Sequence, residues 1–377
     1  MAPVSTTKRP GKCACKKAGG FKHGIGTVGH HKLCLLIPFD DLNDVSPIRI
    51  CHLQTVFLTR RHYLVFEGWL EPLQKPNCGR FTKLKRPALW WSQEIQVATD
   101  YSDTSNQSQL ANMKIFISAD IEGVSGITTR DEARKTNAVY REFQTQMNRE
   151  VAAACEGALA AGASEILIKD AHGGGDNLTA ADLPEPAKLI RSWSGHPFSM
   201  VQELDESFDA ALFIGYHARA GAGGNPLAHT MSSKKVHRIF INDRETSEFY
   251  IHYLAAGLVK VPVVMLSGDK TICEEVRGTD PAIETANVKD ANGSSTINMH
   301  PNLAVELIRT TAERAVRTQA ALPAKLPDSF ELKVVLKEQS DAFYSAQYPG
   351  ANLYDPYTVT LSSEDYFDIL RAVMFLI

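Results

Sequence analysis

Nowhere does this chain run to the ~18 consecutive apolar residues of a membrane-spanning helix, which argues against a transmembrane segment. Paired Cys-x-x-Cys spacings are also missing, so a zinc module is poorly supported even where Cys13-x-Cys15 is followed by His30 and His31. Beyond residue 112 only Cys155 and Cys273 remain. Two scattered thiols make no disulfide framework and read as a reducing-compartment protein. The first 39 residues contain no acid. That allows a transit peptide, but the amphipathic Arg/Ser pattern of one is missing. Positive charge is scarce where the chain is regular: residues 1–112 carry a net +7, whereas residues 113–377 carry −10 of the total −3. An acidic body argues against a nucleic-acid partner, which requires a basic face.

What is present divides at Met113. Residues 1–112 are basic and cysteine-containing, lack periodicity and end in a polar, linker-like stretch. They read as a poorly ordered extension, with Met113 as the functional start. From Met113 the pattern becomes regular. Lys114–Ala119 reads as a strand, and a long helix lies within Asp131–Ala161 on the spacing of Val139, Phe143, Met147 and Val151. Glu165–Lys169 reads as the next strand, completing a βαβ unit with parallel strands. Further strands are expected at Ala210–Ile214, Arg238–Ile241, Val261–Leu266 and Glu331–Leu336, with helices through Phe249–Leu258 and Leu303–Arg317. The fold class is α/β, a layered α/β/α sandwich with a mostly parallel sheet.

In such sheets the site lies at the carboxyl ends of the strands. The first strand ends in Asp120 and Glu122, two acids on one side of the chain because side chains alternate. Their mutual repulsion makes sense around a divalent cation. Otherwise Asp120 caps a turn and Glu122 is solvated. The second strand ends in Asp170-Ala171-His172 before three glycines that let the backbone approach a ligand, and the third in Gly215-Tyr216-His217. Carboxylates with imidazoles suit Zn²⁺, with Mn²⁺ or Co²⁺ as alternatives. Glu248 sits at the first turn of a helix, where it also complements the helix dipole. His229 follows the glycine-rich loop 221–226, placed either as a proton shuttle or as an ordinary surface residue.

With these residues assembled, the chain resembles the D-aminopeptidase DppA family, the M55 metallopeptidases, over residues 113–377. The resemblance rests on Ser118-Ala-Asp-Ile-Glu-Gly123, Asp170-Ala-His172, Pro197-Phe-Ser-Met-Val201, Gly215-Tyr-His-Ala-Arg219, His229-Thr-Met231, Ile241-Asn-Asp-Arg244 with Glu248, and Gly268-Asp269, in the family's order. It implies two zinc ions per subunit held by Asp120, Glu122, His172, His217 and Glu248, with Asp120 bridging and His229 catalytic. It also implies a ring-shaped homodecamer. Lys270 stands where a member of the family carries another acid, and the glycine-rich insertion before His229 differs. These departures bear on substrate preference more than on metal binding. The expected activity is aminopeptidase cleavage of short peptides with an N-terminal D-residue by a metal-activated water, in the cytoplasm. The rival readings are a two-metal hydrolase of another amide or ester, and a metal-stabilised assembly protein without turnover.

Overall fold

A computed structural model describes residues 113–377 and, of the preceding residues, the backbone of four strands. The chain divides into two compact units, Met1–Gln96 and Val97–Ile377. In the first, β1 (Gly24–Thr27), β2 (Lys32–Pro38), β3 (Leu53–Thr59) and β4 (Tyr63–Trp69) form an antiparallel sheet in the order β1-β2-β4-β3. Cys13, Cys15, His30, His31 and the polar stretch 101–112 lie outside the described residues.

The second unit begins with β5 (Met113–Ala119), helix α1 (Tyr140–Ala160), β6 (Ala163–Asp170), β7 (Ala187–Ile190) and β8 (Ala210–Tyr216). The hairpin β9 (Val236–Ile241) and β10 (Arg244–Glu245) leads into α2 (Glu248–Leu258), β11 (Val263–Asp269) and α3 (Lys270–Thr279). A second hairpin, β12 (Glu284–Asn292) and β13 (Ser295–Asn298), precedes α4 (Pro301–Thr318). The chain closes with β14 (Phe330–Leu336), α5 (Gln339–Ser345), β15 (Asn352–Asp355), β16 (Thr358–Ser363) and α6 (Tyr366–Leu376). Among the described residues no helix is long and apolar enough to cross a membrane.

Seven strands form the main sheet in the order β13-β12-β11-β8-β5-β6-β7, all parallel except β13, which pairs antiparallel with β12 at the edge. The layered α/β/α fold expected from the sequence is therefore present. Strand β5 lies inside the sheet between β8 and β6 and is covered on both faces, so Ile115, Phe116 and Ile117 are all fully buried in one apolar run. Helices α1 and α4 pack on each other and against the sheet, while α2 packs on β8 and against α6. The strands expected at 238–241 and 331–336 leave the main sheet for a second, antiparallel one, β10-β9-β14-β16-β15. Their alternating burial fits a sheet covered mainly on one face. Helix α1 starts only at Tyr140. Val139 stands before it, largely exposed, because residues 131–139 fold into turns tied by Asn137 Nδ2 to Asp131 (3.0 Å).

Candidate metal centre

Sequence order runs from β5 outward through β6 and β7 on one side, and through β8, β11 and β12 on the other. The crevice between β5 and β8 is thus the topological switch point, where α/β sheets bind ligands. Two glycines bring these strand ends unusually close. Gly123 N–H donates to Gly215 O (2.8 Å), and a Cβ on Gly123 would lie 1.8 Å from Tyr216 O. Gly215 has φ +73°, and a Cβ there would lie 2.3 Å from Asp120 O. The close approach sets Asp120 and His217 face to face. In the loop beyond β6, Gly175 fits against the backbone of Ser192, while Gly173 lines the cleft.

All six residues singled out from the sequence converge here. Asp120 Oδ1 lies 3.4 Å from His172 Nδ1, and its other oxygen, Oδ2, lies 3.4 Å from His217 Nε2. Glu122 Oε2 is 2.9 Å from His172 Nδ1, and Glu248 Oε2 is 3.2 Å from His217 Nε2. His229 stacks on His217 with ring centroids 4.4 Å apart, and its Nε2 lies 3.7 Å from Glu248 Oε1. Two groups of potential ligand atoms result, Asp120 with Glu122 and His172, and His217 with His229 and Glu248. Asp120 faces both through its separate oxygens.

The donor chemistry fits a cation. Each imidazole has one ring nitrogen on a main-chain carbonyl: His172 Nε2 on Ala133 O (2.9 Å), His217 Nδ1 on Ala218 O (2.9 Å) and His229 Nδ1 on Leu227 O (2.8 Å). A carbonyl only accepts, so those nitrogens carry protons, and whenever the rings are neutral their other nitrogens turn lone pairs toward the carboxylates. Asp120 Oδ2, Glu122 Oε2 and His217 Nε2 are buried and make no hydrogen bond of good geometry among the described residues. Lone pairs facing one another in a buried site need a proton or a metal between them.

Without a metal the protons are unevenly held. Burial, then the neighbouring Glu122 charge, pushes Asp120 up to about 7. Burial opposes charge on Glu122 as well, but His172, His229 and His217 outweigh it and hold that carboxyl well below its ordinary range. For His217, burial works downward, yet Glu248 and Asp120 raise it to about 10. Burial likewise works against Glu248, and the His217 and His229 charges bring it to about 2. The cleft over these groups holds about 400 Å³ and is also lined by Arg130, Arg134, Trp193 and Lys234.

Several supporting residues were given no role, or were not named, in the reading of the sequence. Asp269 Oδ2 accepts from Ala218 N–H (2.7 Å), next to His217, and from Asn225 Nδ2 (2.9 Å). Its Oδ1 caps α3 at Ile272 N (2.9 Å). Asn225 Nδ2 and the buried Lys289 Nζ both donate to the carbonyl of Glu122. Asp170, part of the expected Asp-Ala-His segment, accepts from Asn177 N and Leu178 N and shapes the loop after His172. The Gly268-Asp269 motif was a signal for Asp269. Lys289 and Asn225 carried none.

Comparison with known proteins agrees with this fold. The profile of the peptidase M55 family, described as D-aminopeptidase, matches residues 113–375. A D-aminopeptidase of Bacillus subtilis (strain 168) is 30% identical over 265 residues, spanning 70% of this chain and 96% of that protein. The solved structure of "Zn-dependent D-aminopeptidase DppA from Bacillus subtilis, a self-compartmentalizing protease" superposes with a TM-score of 0.67 at 29% identity, covering 70% of this chain and 96% of that one. The chain belongs to the D-aminopeptidase family, peptidase M55, and is a metal-dependent peptidase.

Proposed function

We propose that the cleft removes the N-terminal residue of short peptides, with preference for a D-residue, using two zinc ions per subunit. The observation that carries this reading is the division of Asp120, with one oxygen toward His172 and the other toward His217. Asp120, Glu122 and His172 would hold one ion; Asp120, His217 and Glu248 would hold the other. Bound there, zinc would supply Lewis acidity and lower the pKa of a water toward neutrality. Glu248 keeps a second role, since its Oε1 accepts Met231 N–H (2.6 Å) and so fixes the segment that carries His229. With Nδ1–H held by Leu227 O, the lone pair on His229 Nε2 is free to take a proton from the attacking water and then pass it to the leaving amine. The zinc dependence and D-aminopeptidase activity of the Bacillus subtilis relatives support the reading, as does the self-compartmentalizing assembly of the solved one. An oligomer enclosing the cleft, in the cytoplasm, belongs to the same proposal.

The test is hydrolysis of D-Ala-D-Ala beside L-Ala-L-Ala, with zinc counted per subunit by elemental analysis. Two zinc ions and faster turnover of the D-peptide are expected. Metal-dependent cleavage of amides or esters with no peptide turnover would transfer the site to another hydrolytic reaction.

A further inference from the structure

Beside the metal cleft lies a second cavity of about 300 Å³, and the two share Trp193, Ser199, Met231 and Ser232 as a common wall. That wall is built rather than incidental. Trp193 Nε1–H is fixed to Gly173 O (2.8 Å), one residue from His172, and the buried Lys169 ammonium lies 3.8 Å from its ring centre. Lys169 is in turn held by the carbonyls of Asp170 and Ser192 (both 2.7 Å). Ser199 (φ +44°) and Met231 (φ +62°) both adopt left-handed backbone conformations without being glycine. Such strain is retained where the surroundings impose it, and it concentrates at ligand sites.

The buried lining of the second cavity is formed by Ile251, Leu370 and Val373 with one polar residue among them, while His196, Ser199 and Ser232 line its more exposed part. His252 is fully buried, and its Nδ1 donates to Glu248 O (2.7 Å). The Nε2 of the neutral ring therefore carries a lone pair, and it has no partner among the described residues. An unpaired buried acceptor is costly, and a donor reaching it from a ligand in the cavity would relieve that cost.

We propose that this cavity receives the side chain of a residue flanking the scissile bond, and that it selects an aromatic ring tipped with one hydrogen-bond donor, the phenol of tyrosine or the indole N–H of tryptophan. The assignment to a substrate side chain rests on the peptidase reading above. The shape and the lone acceptor do not depend on it.

The experiment has two arms on the full chain. In the first, the zinc-loaded enzyme is given D-peptides carrying Ala, Phe or Tyr at each position flanking the scissile bond. At one position kcat/KM should rise about tenfold or more from Ala to Phe, and further to Tyr. Val373→Trp, which fills the cavity, should collapse the Phe-to-Ala ratio toward one. His252→Phe should keep that ratio and abolish the advantage of Tyr over Phe. In the second arm, p-cresol and toluene are titrated into the protein with and without zinc and followed by ligand-observed NMR. The cresol should bind more tightly, and the gap should close in His252→Phe. If Val373→Trp does not fold, the wild-type cresol–toluene difference and the His252→Phe ratio still decide. Flat side-chain preference, or equal binding of the two probes, overturns the proposal. Probe selectivity without any peptide turnover would preserve the cavity and remove the peptidase reading; turnover without probe selectivity would do the reverse.

Discussion

Three imidazoles in the cleft each commit one nitrogen to a main-chain carbonyl, and this fixes what the other nitrogen can do. His172 and His217 then face carboxylates, whereas His229 stands beside Glu248 at a longer 3.7 Å with its ring stacked on His217. Replacing His229 with alanine should lower kcat by ~10²–10⁴-fold, the usual contribution of a general acid or base. Zinc content, read by elemental analysis, should stay unchanged; loss of an ion would make His229 a ligand instead. The protons held by the cluster give a second expectation. Metal binding requires Asp120 and His217 to be unprotonated, and their pKa values stand raised to about 7 and about 10. Proton competition therefore weakens as pH rises from 6 toward 10, and apparent zinc affinity should climb across that window. Glu248, near 2, is ionised throughout and adds no pH dependence there. For the metal-free protein the His217 sign is opposite: its stabilisation is complete below 6.5 and lost as pH rises through about 10. Chelator competition at pH 6, 7.5 and 9 checks the first, and thermal melts of stripped protein check the second.

At the scale of elements, the site depends on how closely β5 and β8 end. Gly215→Ala would place a methyl group 2.3 Å from Asp120 O at a backbone angle that disfavours side chains. A loss of about 1–3 kcal/mol is expected, with weaker zinc retention, measurable by denaturant melts and dialysis. Asp269→Ala removes the acceptor that ties β11 to Ala218 and Asn225. It should cost ~10–100-fold in zinc affinity, as loss of an outer support commonly does. Strands β5, β6 and β8 were legible in the sequence because each is a short apolar run ending in an acid or a histidine. Their ends implied the site, since parallel sheets deliver ligands there. The second sheet was not legible as a separate layer. Phe330, Leu332, Val334 and Leu336 announce a strand by alternation, but nothing local says that its partners are β9 and β16. Lys289, Asn225, Trp193 and His252 were invisible for a related reason. A polar or aromatic residue takes its role from what the tertiary fold sets beside it.

For the whole molecule, both sheets of the second unit and all six convergent residues lie within Val97–Ile377. Residues 97–377 expressed alone should match the full chain in zinc content and specific activity, and a loss of more than a few-fold would assign the preceding segment a part in the enzyme. Exposed Phe343 and Tyr344 on α5 and Tyr354 on β15 give this unit apolar surface of the sort used in association. Tyr344→Glu should reduce the assembled mass measured by light scattering while leaving the zinc count unchanged. The wide separation of the cluster along the chain also governs its history. Asp120 follows β5 and Glu248 opens α2, so closing the long loop between them costs chain entropy before their contact can repay it. The full set of metal-ligating groups therefore exists only in the folded unit, where protons occupy the places that metal would take.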